Sequence, residues 1–203
     1  MRTRNLVGLA VAAITVAALS ACSTSTTSAP APASSASTPA TASASTDHNA
    51  ADVTFVQGMI PHHTQAVAMS QQAATRATTP KVKDLAHRIE KAQEPEIQQM
   101  NGLLKAWGEP EPSPGMGDMG GMSRSEMPGM MTDDQMSQLG TTSGAAFDRM
   151  FLQMMIEHHK GAIAMSQTEL DQGENAEAKE LAQSIITSQQ AELTEMSNLL
   201  AQT

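Results

Sequence analysis

Tyrosine is missing, and one Trp and three Phe are the only aromatic residues among 203. Sandwich and barrel cores lean on aromatic and β-branched side chains, so the composition argues against an all-β fold. A single cysteine, Cys22, excludes an intramolecular disulfide. Basic residues are scarce as well: 12 Lys and Arg stand against 21 Asp and Glu, for a formal charge of −9, and no basic cluster occurs. Such a chain is unsuited to holding nucleic acid or anionic lipid through charge. The zinc-protease pattern His-Glu-x-x-His is absent. No Glu is followed by His three residues on, the pair that di-iron carboxylate bundles carry on two helices. No catalytic constellation emerges, and the chain reads as a binding protein, not an enzyme. What it has in excess is methionine, sixteen in all.

Arg2 and Arg4 precede an apolar run from Leu6 to Leu19, which ends in Ser20, Ala21 and Cys22. A basic start, a short apolar stretch and small residues form a secretory leader, and the run is short for a membrane span. Leu19-Ser20-Ala21-Cys22 resembles the bacterial lipobox, which makes Cys22 the lipidated first residue of the mature protein. The formal charge then becomes −11, because Arg2 and Arg4 leave with the leader. Residues 23–47 are dominated by Ser, Thr, Ala and Pro and read as a solvated tether. The expected location is outside the cytoplasm, anchored by lipid to the outer face of the cell membrane or in the periplasm.

The remainder, 48–203, repeats itself at an offset of 96 without a gap. Asp52 matches Asp148, Phe55 matches Phe151, Met59 matches Met155, and His62-His63 matches His158-His159. Gln93, Glu96, Met100 and Leu104 match Gln189, Glu192, Met196 and Leu200. Each copy reads as two helices. At 100° per residue, Asp52, Phe55, His62, His63, Ala66 and Ser70 fall within about 60° of Met59, with Met69 at the edge of that stripe. Val82, Leu85, Ala86, Ile89, Gln93, Ile97, Met100 and Leu104 form the stripe of the second helix. Thr79-Pro80 should start that helix and Gly108 should stop it; Ser143 should cap the third, and Gly173 should separate third from fourth. Two duplicated helical hairpins predict an all-α fold, an antiparallel four-helix bundle. Pro61 and Pro95 interrupt the pattern in the first copy only, and should kink their helices or free a carbonyl. Between the hairpins, residues 108–140 form a long loop rich in Met and Gly, in which Thr132-Asp133-Asp134-Gln135 should cap a short helix.

Met59 lies three and four residues from His62 and His63, so the three side chains are neighbours on one helix surface. Met155, His158 and His159 repeat the set. Facing helices can bring both sets together, with up to four imidazoles and two thioethers. Imidazole suits copper, zinc and nickel; thioether is soft and favours Cu(I), so a Met–His set points to copper, as Cu(I), Cu(II) or both. Met69, Met165, Met100 and Met196 could add thioethers or simply fill the core. Asp52 and Asp148 could hold an imidazole or the metal, or could cap a helix. Gln93, Glu96, Gln189 and Glu192 could bond the imidazoles, though a solvated edge is the first expectation for the two Glu. His87 and His48 read as exposed. In the loop, Met116, Met119, Met122, Met127, Met130 and Met131 form a soft-metal segment that could wrap Cu(I).

The blocks Phe55-Val-Gln-Gly-Met-Ile-Pro-His-His and Phe151-Leu-Gln-Met-Met-Ile-Glu-His-His, each followed by Ala-Met-Ser, resemble the domain-of-unknown-function family 305. The resemblance spans Asp52 to Leu200. It implies a ferritin-like four-helix bundle in an exported bacterial protein, a link to copper, and functional roles for His62, His63, His158, His159, Met59 and Met155. The function expected is a copper-binding lipoprotein that buffers, sequesters or hands on copper, with copper ions, the membrane and another copper-handling protein as partners. Two other readings stay open: a metal-free interaction lipoprotein and a ferritin-like metal oxidase.

Overall fold

Asn49 accepts hydrogen bonds from the backbone of Ala51 and Asp52, while Asp52 accepts one in return from the Asn49 N–H at 2.6 Å. This reciprocal cap starts the first helix in a computed structural model of the protein, which describes residues 45–112 and 127–203. The leader at 1–22 with Cys22, most of the tether at 23–47, and Met116, Met119 and Met122 lie outside the described residues. Five helices follow in order: α1 (Ala50–Arg76), α2 (Pro80–Trp107), α3 (Asp133–Thr141), α4 (Gly144–Gln172) and α5 (Ala176–Leu200). No strand occurs among the described residues, so the fold is all-α.

Most helix boundaries fall where the sequence puts them. Thr79 and Pro80 open α2, and Gly108 closes it in a left-handed conformation with φ 75°. Thr132 and Gln135 form the expected reciprocal cap of α3. Ser143 occupies the N-cap position of α4, but its hydroxyl makes no capping bond. Helices α1 and α2 run on through Pro61 and Pro95. His48 is not a free tether residue: its ring stacks on Trp107 with centroids 4.8 Å apart.

Hairpins α1–α2 and α4–α5 meet mainly through α1 and α4. Their apolar side chains separate into two clusters. One joins Phe55, Met59, Met100, Leu104, Leu181 and Ile185. The other joins Met69, Leu85, Ile89, Phe151, Met155 and Met196. The 96-residue offset converts one cluster into the other, so the two copies are exchanged by an approximate twofold. Each cluster combines the first half of one helix with the second half of its neighbours.

Between the clusters lies a polar layer. His62, His63, Gln93, His158, His159 and Gln189 are all buried in it, with Glu96 and Glu192 at its half-buried margin. Each buried Met, Leu or Phe contributes about 1.5–3 kcal/mol relative to exposure, and that apolar surplus on both sides offsets the cost of the layer.

Candidate metal centre

All four imidazoles are fully buried. His62 on α1 meets His158 on α4, ring centroids 3.8 Å apart and planes inclined at 43°. The flanking pair is held from the outside. His63 Nε2 donates to Glu96 Oε2 at 2.7 Å, and His159 Nε2 donates to Glu192 Oε2 at 2.6 Å. These two bonds are the same bond in the two copies. His62 Nε2 lies 3.1 Å from the carbonyl oxygen of Pro128, which can only accept, so this nitrogen carries the proton.

With the proton held on Nε2 by these acceptors, the Nδ1 lone pair of each of the three imidazoles is left free. None of those Nδ1 atoms has a hydrogen-bond partner, nor has either nitrogen of His158. A carboxylate or carbonyl behind a histidine, with the opposite nitrogen free, is how proteins orient imidazole toward a metal and raise its basicity.

The electrostatics keep the central pair neutral. Burial, and then repulsion from His63, lowers the His62 pKa to about 3. Burial, and then the neighbouring His62, puts His158 well below the ordinary histidine range. Neutral imidazole is the form that binds metal.

A strap crosses the layer from the side. Gln65 clasps Met131 with both ends of its amide, accepting from the backbone N–H at 2.7 Å and donating to the carbonyl at 2.8 Å. Its counterpart at offset 96 is Gly161, where a Cβ would stand 2.0 Å from the Pro128 carbonyl oxygen. The missing side chain on α4 lets the strap backbone lie directly on that helix. Gly129, at φ 78°, makes the turn, and a Cβ on it would stand 2.6 Å from the Glu157 carbonyl oxygen. The strap places Pro128 on His62 and buries Met130 and Met131.

Other candidates have different roles. Asp52 accepts from the N–H groups of Glu174 and Asn175, holding the α4–α5 turn. Asp148 accepts from Thr78 and Thr79, holding the α1–α2 turn. Each aspartate therefore ties its own hairpin to the turn of the other, and neither bonds an imidazole. Burial works to raise the Asp52 pKa, but the backbone N–H bonds and the neighbouring Glu169 carboxyl outweigh it and hold the carboxyl below its ordinary range. Glu96 and Glu192 are the histidine partners instead of solvated edges. Gln93 and Gln189 lie buried in the layer with neither end of their amides bonded. Met59, Met155, Met69, Met100 and Met196 are fully buried in the apolar clusters, and Met165 and Met127 are half-buried.

Among the described residues, no three His, Cys, Asp or Glu groups already converge as a coordination sphere. An ion here would draw on imidazoles together with the adjoining thioethers. That donor set fits copper, and each buried polar atom left without a partner costs about 1–3 kcal/mol until it finds one.

Residues 52–200 match the family described as Domain of unknown function (DUF305). The chain belongs to this family. It is 36% identical to a DUF305 protein from Streptomyces coelicolor, covering 75% of this chain and 93% of that one, with a TM-score of 0.67. CopM has been solved in apo, Cu(I)-bound, Cu(II)-bound and Ag-bound forms. Its Cu(II)-bound form is 33% identical, over 74% of this chain and 96% of CopM, with a TM-score of 0.63. The uncharacterized protein L153 of Acanthamoeba polyphaga mimivirus is 42% identical over 53 residues. That match covers 26% of this chain and 35% of L153, about a third of its length.

Proposed function

We propose that this DUF305 protein is an exported copper-binding lipoprotein, anchored through Cys22, that buffers or hands on copper. Its four long helices act as a ferritin-like antiparallel four-helix bundle whose middle layer takes up the ion. His62, His63, His158 and His159 are the proposed ligands, with Met59 and Met155 as soft donors beside them. Met116, Met119 and Met122, with the strap methionines, would collect Cu(I) ahead of that layer. The role is binding, without catalysis. The observation that carries the reading is the buried, unpartnered Nδ1 of His62, His63 and His159, each backed by an acceptor on Nε2. The copper- and silver-bound forms of CopM support the choice of metal.

The test is copper titration of the mature protein against a chelator, with His62, His63, His158 and His159 intact or replaced together by Ala. The tightest site should disappear in the variant while helicity remains. Metal analysis of the exported protein separates the other readings: two irons would indicate an oxidase, and no metal after copper loading an interaction module. Cys22→Ala should move the protein from the membrane fraction to the soluble fraction.

A further inference from the structure

The two halves of the repeat agree through most of the interior, and they part company at one groove. In one half, Met69, Ala73 and Met154 are buried together in an apolar cluster. Their counterparts at offset 96 are Met165, Glu169 and Gly58. Gly58 leaves a notch where the other half has a methionine, and a groove of about 450 Å³ opens there between α1 and α4. Two thioether side chains reach into the notch. A Cβ on Gly58 would lie 3.0 Å from Met165 Cε and 3.8 Å from Met127 Sδ. Met127 is held in place by the strap, because the next residue, Pro128, receives the bond from His62 and Gln65 clasps Met131.

Glu169 lies one helical turn beyond Met165 on α4 and also lines the groove. It is 1% exposed, and its carboxyl is buried against that of Asp52, which pushes its pKa up to about 8. A duplication kept only for packing would have left the alanine found at position 73. Burying two carboxyls side by side is costly, and a cation in the adjoining groove would relieve that cost.

We propose that Met127 and Met165, with Glu169 beneath them, form a second metal site for a soft monovalent cation, Cu(I) or Ag(I), separate from the imidazole layer. Thioethers supply the soft donors, and the buried Asp52–Glu169 acid pair supplies negative charge, the cation taking the place of the proton that Glu169 holds at neutral pH. The groove opens to solvent, and Met127 is joined through Pro128 to His62, so the site stands at the mouth of the central layer. It deepens the role proposed for the strap methionines by naming the groups that join Met127, and it does not depend on imidazole ligation.

The experiment is an Ag(I) titration of the mature chain carrying ¹³C-methyl methionine and ¹⁵N-histidine, followed by NMR. Assignments come from Met127→Leu and Met165→Leu, which conserve volume at half-buried positions. The ε-methyl signals of Met127 and Met165 should move together and saturate with one affinity. Met165→Leu should abolish the response of Met127, and so should Gly58→Met, which restores the residue of the other half. Glu169→Gln should weaken the affinity several-fold. The proposal is overturned if the two methyl signals stay fixed while Ag(I) binds, or if Met127 responds unchanged in Met165→Leu. Shifts confined to the imidazole nitrogens would overturn this site and leave the central reading standing. Methyl shifts with unmoved imidazoles would do the reverse.

Discussion

His62 and His158 face each other across the α1–α4 contact with ring centroids 3.8 Å apart, and they are the same position in the two copies of the repeat. Duplication thereby brings the two His-His pairs together in one buried layer. Each hairpin supplies a Met-x-x-His-His set, and each second helix supplies the glutamate that orients the outer imidazole. The approximate twofold passes between the hairpins, where the strap crosses.

Replacing Glu96 and Glu192 together by Gln should lower copper affinity by about 10–100-fold, the usual effect of losing a carboxylate behind a metal-bound histidine. Helicity should be unchanged, because both side chains sit at the margin of the layer. Competition titration checks this, and undiminished affinity would remove the glutamates from the site.

Gly161→Ala and Gly102→Ala should have opposite effects. A Cβ at 161 would stand 2.0 Å from the Pro128 carbonyl oxygen, while one at 102 meets nothing within 4 Å. The first variant should lose about 1–3 kcal/mol and expose the Met131 amide to hydrogen exchange as the strap lifts. The second should gain about 0.5–1 kcal/mol, the ordinary benefit of alanine inside a helix. Thermal unfolding and exchange measurements separate the two.

Acid should weaken the metal-free protein through its central histidines. The folded pKa of His62 is depressed to about 3 from an ordinary 6.5, and His158 is shifted the same way. Their contribution is therefore complete above pH 6.5 and is lost as pH falls through the folded values. Melting temperature should drop between pH 7 and pH 4, and His158→Leu should flatten that slope. An equally steep slope in the variant would assign the acid sensitivity elsewhere.

Glu169 works in the opposite direction. Burial, and then the adjacent Asp52, raises its pKa to about 8 from 4.5. Its contribution is complete below pH 4.5 and is lost as pH rises through 8. Glu169→Gln should stabilise the metal-free protein at pH 9 more than at pH 5, as read by thermal melting. A pH-independent difference would contradict the assignment.

The stripes, the repeat and most of the caps were legible because they depend on spacing along one helix. Asp52, Met59, His62, His63 and Ala66 share a face by arithmetic alone, and all are buried. Glu96 stays ambiguous in the sequence because it lies at the edge of its stripe, where only the position of a neighbouring helix decides between water and His63. Its recurrence as Glu192 was the available signal. Asp52 and Asp148 each bond the turn of the opposite hairpin, a tertiary relationship that no local pattern encodes. The strap was the least legible part. Pro128 meets His62 across 66 residues, and nothing periodic marks the contact; only Gly161, standing where the other copy has Gln65, hinted that a backbone passes there.

The most direct test of the central claim is the ¹⁵N spectrum of the imidazoles during Ag(I) binding, silver being a soft and diamagnetic surrogate for Cu(I). Coordination through the unpartnered nitrogens predicts that the Nδ1 signals of His62, His63 and His159 shift on binding, while their Nε2 atoms remain protonated on Pro128, Glu96 and Glu192. Silver bound with all four imidazoles unperturbed, or with Nε2 taking the metal in place of Nδ1, would contradict the account.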